Sequence, residues 1–307
     1  MKMALLFPGQ GSQKVGMGQA LAATHALARQ TFEEADEALG FALSTLCFEG
    51  PESELTLTAN TQPAILTNSI AIWRVLAERG LPCDVAAGHS LGEWSALVAC
   101  GALEFRDAVR LTHLRGKLMQ AAVPAGAGAM AALLGLDAEA TARVCAEASA
   151  PGEPVEPANL NGAGQIVISG AVAAVERAIE QAKAAGAKRA VKLAVSAPFH
   201  CSLMAPAAEK LAAALDAVEL RAPRAPIVTN VLAAPTQDPA ELRALLIRQV
   251  TGAVRWEESV QAIAALGVTR AFELGSGAVL KGLVKRIAPG IEVTSLGEPG
   301  ELDAASW

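Results

Sequence analysis

A pentapeptide, Gly88-His89-Ser90-Leu91-Gly92, constrains the fold of this chain more than any other segment. The apolar run 85–87 precedes it, and a helical pattern begins near Glu93. In a G-x-S-x-G turn between a strand and a helix, larger side chains in place of the glycines would clash with the neighbouring elements. The segment therefore predicts that the Ser90 hydroxyl is exposed at a helix N-terminus, where partial positive charge favours a developing oxyanion. An ordinary tight turn with a capping serine is the alternative.

The middle of the chain differs from the rest in the order of its predicted elements. After the flexible run 125–128, the pattern predicts strand, helix, strand, strand, helix and strand up to residue 195. This β-α-β-β-α-β order is typical of a ferredoxin-like unit. Because strands and helices alternate on both sides of it, we predict an α/β protein with a subdomain, 125–197, inserted into a larger domain, 1–124 and 198–307. Within the larger domain we expect one helix over 17–39 and a loose tail at 301–307.

Composition limits the class of protein. Hydrophobic residues make up 52% of the 307 residues and charged residues 18%, a balance that favours a large packed core over disorder. No apolar run of about eighteen residues lacks charges or breakers, and the apolar part of the N-terminus is too short for a signal peptide. We therefore expect no membrane association. The five cysteines form no C-x-x-C pair, which indicates reduced thiols and a cytoplasmic location.

The net charge of −6 argues against a nucleic-acid binder, because no surface would neutralise the phosphates. Basic residues nevertheless cluster in two places. Such a cluster is either a solvated face or a docking site for an acidic partner. The two clusters are Lys188, Arg189 and Lys192, and Lys281, Lys285 and Arg286.

A serine nucleophile needs a base, and the chain has four histidines. His89 adjoins Ser90, so its side chain leaves the turn in another direction and either lines a pocket or packs. His113 lies within a predicted helix and is interpreted as a partly buried structural residue, while His25 is expected on the surface of the 17–39 helix. His200 lies in a polar break between the subdomain and the next helix, and this place suits a catalytic base best.

The acidic third member of a hydrolase triad is hard to find. Asp107 and Asp137 lie between Ser90 and His200, but neither ends a predicted strand. A serine–histidine dyad whose imidazole is oriented by a backbone or amide oxygen is the better interpretation. The absent acid weakens the assignment as an ordinary esterase.

A second conspicuous loop, residues 7–13 (FPGQGSQ), follows the first predicted strand. Its glycines allow the backbone to approach other groups closely. The N–H of Gln10 could therefore pair with the N–H of Leu91 as an oxyanion hole. A simple loop whose amide side chains turn back on themselves is the alternative.

Arg115 lies in a predicted helix beside an unusual glycine, Gly116. A guanidinium directed into an apolar pocket would bind a carboxylate through two parallel hydrogen bonds. A surface arginine is the default interpretation.

Taken together and in this order, the motifs resemble the malonyl-CoA:acyl carrier protein transacylase family of fatty acid synthesis. The resemblance covers essentially the whole chain, and so many spaced motifs do not share one order by chance. They are FPGQGSQ at 7–13, GHSLGEWSALVA at 88–99, RGKLMQ at 115–120, NLNG at 159–162, SAPFHCSLM at 196–204, TNV at 229–231, RQVTGAVRWEESV at 248–260 and ELGSGAVLKGLVKRI at 273–287.

The resemblance implies a large α/β-hydrolase-like domain with a parallel central sheet and an inserted ferredoxin-like subdomain. It implies transfer of malonyl from malonyl-CoA to the phosphopantetheine thiol of acyl carrier protein, with no cofactor or metal and with a monomeric enzyme. It implies that Ser90 is the acylated nucleophile, that His200 is its general base and acid, and that Gln10 and Leu91 donate to the oxyanion. Arg115 would bind the malonyl carboxylate, and Gln249 would support the histidine through an oxygen. Asn159 and Asn161 would lie on the carrier side of the cleft.

Three positions depart from the family pattern or vary within it. Trp94 replaces the usual Tyr and Ser276 the usual Pro, and neither touches the implied chemistry. Phe199 precedes the histidine where smaller residues also occur, and in related polyketide synthase domains a Phe there accompanies malonyl selection.

Three rival functions stay open. They are a serine esterase or thioesterase, the same transfer for a polyketide synthase or malonate decarboxylase, and a non-enzymatic scaffold.

Overall fold

The first strand of the computed structural model, Lys2–Phe7, shows how the sequence builds a central sheet. Consecutive side chains enter different cores, with Leu5 and Phe7 packed on one side of the sheet and Ala4 and Leu6 on the other. A strand buried on both faces is typical of a parallel sheet that helices cover on both sides. The structure describes residues 2–195 and 197–307. Met1 and Ser196, which begins the 196–204 motif and lies within the predicted subdomain, fall outside the described residues.

The described residues contain ten β-strands, numbered in chain order. They are β1 Lys2–Phe7, β2 Val85–Gly88, β3 Gly128–Leu134, β4 Val155–Leu160, β5 Gln165–Ala171, β6 Arg189–Lys192, β7 Ile227–Val228, β8 Pro235–Thr236, β9 Val268–Leu274 and β10 Glu292–Leu296.

The same residues contain fourteen α-helices, also numbered in chain order. They are α1 Gln19–Thr24, α2 Ala26–Leu39, α3 Leu43–Glu49, α4 Glu52–Leu55, α5 Thr58–Glu78, α6 Leu91–Ala99, α7 Phe105–Ala121, α8 Ala138–Ala148, α9 Val172–Ala184, α10 Ala205–Asp216, α11 Pro239–Thr251, α12 Trp256–Ala265, α13 Val279–Ile287 and α14 Pro299–Ala304.

The larger sheet has six strands in the order β10-β9-β1-β2-β7-β8. Every neighbouring pair is parallel except β7 and β8, which run antiparallel at one edge. This arrangement confirms the predicted α/β fold with a parallel central sheet. Because β2 is a central strand, the turn that follows it opens at the carboxyl edge of the sheet, where α/β proteins place their ligands.

The smaller sheet has four strands in the order β4-β5-β3-β6, and each pair is antiparallel. Its chain order, with α8 and α9 between strands, is the predicted ferredoxin-like β-α-β-β-α-β. Ala131 and Leu133 of β3 pack under α8 and α9, whereas Met130 and Val167 on the other face join the core of the larger unit. The small sheet therefore forms one wall of the space between the two units. The boundaries at 125 and 197 stay a prediction.

The prediction of one helix over 17–39 is wrong, because α1 ends at Thr24 and α2 begins at Ala26. His25 interrupts them in an extended conformation, with φ −124° and ψ 119°. Its ring is half-buried rather than on a helix surface and lies 3.1 Å from Arg79 Nη2. Helices α3 and α4 are also absent from the sequence-based prediction, since both are too short to show a period.

The prediction of a loose tail at 301–307 is wrong for residues 301–304. They belong to helix α14, which begins at Pro299 with a reciprocal capping box between Glu298 and Glu301, whereas 305–307 have no regular secondary structure. Leu302 is fully buried, and Arg79 donates to its carbonyl oxygen at 2.9 Å. In the described chain, no helix combines the length and the apolar character needed to cross a membrane.

Candidate active site

Ser90 lies in a strained turn between β2 and α6. Its φ of 51° and ψ of −104° are unusual for a residue with a side chain. The turn is tight because a Cβ on Gly88 would lie 1.9 Å from a backbone carbon of Gly92, and a Cβ on Gly92 would lie 2.0 Å from the carbonyl oxygen of Phe7. The two glycines therefore let strand, turn and helix pack closely enough to hold the serine at the sheet edge, as the pentapeptide predicts.

The Ser90 hydroxyl pairs with His200. The distance from Ser90 Oγ to His200 Nε2 is 2.7 Å, and His200 Nδ1 lies 2.8 Å from the backbone carbonyl oxygen of Gln249. A carbonyl oxygen only accepts hydrogen bonds, so Nδ1 carries the proton. Nε2 is then the acceptor for the Ser90 O–H, which is the orientation that a general base requires.

The backbone carbonyl of Gln249 stands where a triad would have its acid. Of the two oxygens that the sequence leaves open, the structure uses the main-chain one; the Gln249 side chain instead donates to the Ser90 carbonyl at 3.1 Å. The two aspartates between Ser90 and His200 lie elsewhere: Asp107 pairs with Arg110, and Asp137 caps α8 by accepting from the N–H of Ala140.

The surroundings of His200 keep its imidazole neutral. Burial, together with the nearby positive charge of Arg115, lowers the pKa of His200 from 6.5 to about 3, although the Gln249 carbonyl favours the charged ring. The side chain is therefore an unprotonated base at any pH near neutrality. Because the imidazolium that forms during a reaction is poorly stabilised, it returns its proton readily.

Arg115 is 1% exposed and its guanidinium reaches Ser90. Nη2 lies 3.3 Å from Ser90 Oγ and donates to Gln249 Oε1 at 3.1 Å, while Nη1 donates to Gln62 Oε1 at 2.7 Å. The adjacent Gly116 permits this approach, since a Cβ there would lie 2.5 Å from the carbonyl oxygen of Thr58 in α5. The structure thus places Arg115 in the site and not on the surface.

The charge of this buried guanidinium is poorly compensated. Within the described chain, Arg115 forms no ion pair, its hydrogen-bond acceptors are neutral, and its Nε has no acceptor. Burial lowers the pKa of Arg115 to about 10, and the nearby Glu93 carboxylate opposes that shift. A buried cation without a bound anion favours a ligand that brings a carboxylate.

Two backbone N–H groups are free to hold an oxyanion. In residues 2–195 and 197–307, the N–H of Gln10 and the N–H of Leu91 have no acceptor. The loop carrying Gln10 approaches the Ser90 turn closely, because a Cβ on Gly9 would lie 2.3 Å from the carbonyl oxygen of His89. Leu91 is the first residue of α6, where unpaired N–H groups are normal. This arrangement supports the predicted pair of donors.

A cavity of about 800 Å³ opens above Ser90 and His200, between the large sheet and the small one. Apolar side chains such as Met119, Met130 and Leu283 line much of it. Of the residues predicted for the site, eight line this cavity: Gln10, His89, Ser90, Arg115, Asn159, Asn161, Phe199 and His200. Leu91 and Gln249 lie behind the wall, where they contribute N–H and carbonyl groups.

His89 points away from the Ser90 hydroxyl, as expected. Its Nε2 lies 2.8 Å from Asn161 Oδ1, and its ring packs 5.6 Å from that of Trp256. Burial lowers the pKa of His89, which keeps the ring neutral. Asn159 is buried on β4, where it bridges to Val254, so both asparagines join the small sheet to the large unit.

His113 lies outside this group of residues. It is half-buried with Nδ1 2.7 Å from the Ala59 carbonyl oxygen, which confirms its interpretation as structural.

Three polar residues of the site are missing from the sequence-based prediction. Gln62 holds Arg115, while Asn230 and the buried carboxylate of Glu93 lie behind Ser90. Asn230 belongs to the 229–231 motif and Glu93 to the 88–99 motif, so their places in the sequence were conspicuous but their contacts were not. In the sequence pattern, a single buried polar residue looks the same as a polar residue on the surface.

Comparison with known proteins agrees with this geometry. Residues 4–286 match the acyl transferase domain family. The malonyl CoA-acyl carrier protein transacylase of Salmonella typhimurium is 50% identical over 306 residues, which cover 99% of this chain and 98% of that protein. That of Bacillus subtilis is 50% identical over 304 residues, covering 99% and 96%.

Solved structures agree as well. The acyl carrier protein S-malonyltransferase of Vibrio cholerae has a TM-score of 0.97 and 50% identity, with both chains covered completely. A malonyl-transacylase in complex with its type II PKS acyl-carrier protein has a TM-score of 0.96 and 48% identity over 99% of each chain. The chain therefore belongs to the malonyl CoA-acyl carrier protein transacylase family of acyltransferases.

Proposed function

We propose that this protein transfers the malonyl group of malonyl-CoA to the phosphopantetheine thiol of acyl carrier protein through a malonyl ester on Ser90. One observation carries the proposal most directly. The guanidinium of Arg115 is buried and lies 3.3 Å from Ser90 Oγ, and among the residues that the structure describes it has no anionic hydrogen-bond partner. An acyl group that ends in a carboxylate satisfies it, whereas a neutral acyl chain leaves a buried cation unpaired.

The first half-reaction acylates the enzyme. Nε2 of His200 takes the proton of the Ser90 hydroxyl as Oγ attacks the thioester carbonyl carbon. The N–H groups of Gln10 and Leu91 stabilise the resulting oxyanion. The carbon–sulfur bond then breaks, and the imidazolium of His200 gives its proton to the departing CoA thiolate.

The second half-reaction reverses these roles. His200 takes the proton of the phosphopantetheine thiol, and the sulfur attacks the ester carbonyl carbon. The bond to Ser90 Oγ breaks and His200 returns the proton to the hydroxyl, which restores the enzyme. Both half-reactions exchange one acyl ester or thioester for another, so no cofactor and no metal is required.

A serine esterase or thioesterase is the main rival, since it would share the Ser90–His200 pair. To separate the two, we suggest incubating the protein with malonyl-CoA and holo-acyl carrier protein, and measuring malonyl-carrier and free malonate together. We expect malonyl-carrier to be the dominant product and Ser90→Ala to yield neither. Free malonate as the dominant product would identify a hydrolase instead.

We place the reaction in fatty acid synthesis in the cytoplasm. One observation favours a second pathway, because the malonyl-transacylase that resembles this chain at 48% identity was solved with a type II PKS acyl-carrier protein. A malonate decarboxylase would use the same acyl transfer. To decide between fatty acid and polyketide synthesis, we suggest measuring kcat/KM with a fatty acid carrier and with a polyketide carrier. A larger kcat/KM for the polyketide carrier would contradict the assignment to fatty acid synthesis.

A further inference from the structure

Ser90 is held by a buried polar network that the mechanism above does not use. Its backbone N–H donates to Asn230 Oδ1 at 2.8 Å, and its backbone carbonyl accepts from Gln249 Nε2 at 3.1 Å. Both peptide groups of the strained serine are therefore fixed by side chains from distant parts of the chain. Such strained conformations persist only where the surroundings fix them.

Asn230 is the centre of this network. It is completely buried, and its side-chain amide has a partner on each side: Nδ2 donates to the Gly88 carbonyl at 2.7 Å, while Oδ1 accepts from the Ser90 N–H and from Gln249 Nε2 at 3.1 Å. Asn230 thus connects the strand end before the serine with the serine itself. It also contacts the residue whose backbone carbonyl orients His200.

Glu93 anchors Asn230 from the first turn of α6. Its carboxylate is 1% exposed, and Oε2 accepts from the backbone N–H of Asn230 at 2.7 Å. The opposite side of the same residue is held by the N–H of Arg255, which donates to the Asn230 carbonyl at 3.0 Å. The main chain of Asn230 is therefore fixed at both ends, so its side chain cannot move away from Ser90 without breaking buried hydrogen bonds.

We infer that Asn230, anchored by Glu93, is a positioning residue that holds the Ser90 hydroxyl in line with His200. Neither side chain reaches the cavity, so each acts only through Ser90 and Gln249. The relevance to malonyl transfer rests on the proposed function, but the effect on the serine does not. Misplacing a reacting group by about 1 Å costs about 100-fold in rate, and this sets the scale of the expected effect.

The chain offers close control residues. Thr229 precedes Asn230, is equally buried, and has a hydroxyl without a hydrogen-bond partner in the described residues. Thr229→Val therefore changes the same segment without removing a contact to Ser90. For Glu93, the conservative variant Glu93→Gln retains an oxygen that can accept from the Asn230 N–H, whereas Glu93→Ala does not.

The test measures the rate at which Ser90 is labelled by a fluorophosphonate, and kcat and KM for malonyl transfer in parallel. We expect Asn230→Ala to lower the labelling rate and kcat by about 10- to 100-fold with KM changed less than about twofold. Thr229→Val should match the wild type. Equal labelling rates for Asn230→Ala and Thr229→Val would overturn the inference.

If Asn230→Ala does not fold, the Glu93 pair decides alone. We expect Glu93→Ala to slow labelling about 10-fold or more and Glu93→Gln to restore most of the rate. Equal labelling by the two Glu93 variants would overturn the inference. The fluorophosphonate needs neither malonyl-CoA nor a carrier, so labelling tests the role of Asn230 separately from the proposed function. If the Asn230 and Glu93→Ala variants are labelled slowly but the wild type does not transfer malonyl, the proposed function is refuted and the role of Asn230 is not.

Discussion

Replacing Arg115 should change acyl selection more than it changes the serine chemistry. In Arg115→Ala a malonyl carboxylate would lose two charge-assisted hydrogen bonds, each worth about 1.5–3 kcal/mol. In the free enzyme the guanidinium already donates to Gln62 and Gln249, so the net loss should be near the lower end, about 3–4 kcal/mol in total. Since about 1.4 kcal/mol is tenfold, kcat/KM for malonyl-CoA should fall about 100- to 1,000-fold.

Acetyl-CoA should respond in the opposite direction. An acetyl group leaves the buried charge of Arg115 unpaired in the wild type, and removing that charge removes the penalty. We therefore expect kcat/KM for acetyl-CoA to rise in Arg115→Ala, with Arg115→Lys intermediate because a lysine lacks the two-pronged geometry.

The assay compares kcat/KM for malonyl-CoA and acetyl-CoA with one carrier protein. Arg110→Ala is the matched control, since Arg110 lies on the same helix with a side chain that is 55% exposed. It should leave both values unchanged. Equal losses for the two substrates in Arg115→Ala would refute the role of the guanidinium in selection and would indicate a structural defect at Ser90.

Three further predictions concern the base, the turn and a neighbouring thiol. The lowered pKa of His200, about 3, keeps this base neutral, so in Glu93→Gln, which removes the buried carboxyl whose pKa burial raises to about 7, kcat/KM should not fall as pH drops through 6.5; a fall centred there in that variant would contradict the assignment. Gly92→Ala places a Cβ 2.0 Å from a backbone oxygen of β1 and should lower stability by about 1–3 kcal/mol in a thermal melt, whereas Gly282→Ala, with open space around it, should not; equal melting temperatures would refute the packing argument. Burial raises the pKa of Cys201 to about 11, so iodoacetamide at neutral pH should leave transfer unchanged, and inactivation through Cys201 would show that this thiol is accessible.

The sequence was sufficient for the parts of the site that depend on local geometry. Two glycines around Ser90 announce a tight strand–turn–helix connection, and the structure needs both for the close approach of β1 and α6. The placement of His200 at a junction between two units was also evident, because polar breaks between elements meet at sheet edges. Alternation of strands and helices likewise predicted the α/β class of the larger domain, and the β-α-β-β-α-β order predicted the ferredoxin-like subdomain.

The rest depends on contacts between distant segments. The group that orients His200 is a backbone carbonyl, which every residue possesses, so no residue type at 249 marks it. Asn230 and Glu93 are polar residues whose burial comes from packing that joins α6 to the segment after β7. The sequence predicts His25 within a helix because its neighbours are helix formers. A break of one residue between two helices does not change the hydrophobic pattern, so the sequence does not reveal it. Helix α14 near the C-terminus is stabilised by the Glu298 cap and by burial of Leu302, and the second of these depends on distant parts of the chain.

The most direct test of the central claim is the intact mass of the protein after brief incubation with malonyl-CoA. We expect one malonyl adduct, located on Ser90 by peptide mapping, lost on addition of holo-acyl carrier protein and absent from Ser90→Ala. A parallel incubation with acetyl-CoA should give little or no adduct. An adduct that survives in Ser90→Ala, or one that forms from acetyl-CoA as readily as from malonyl-CoA, would contradict the account.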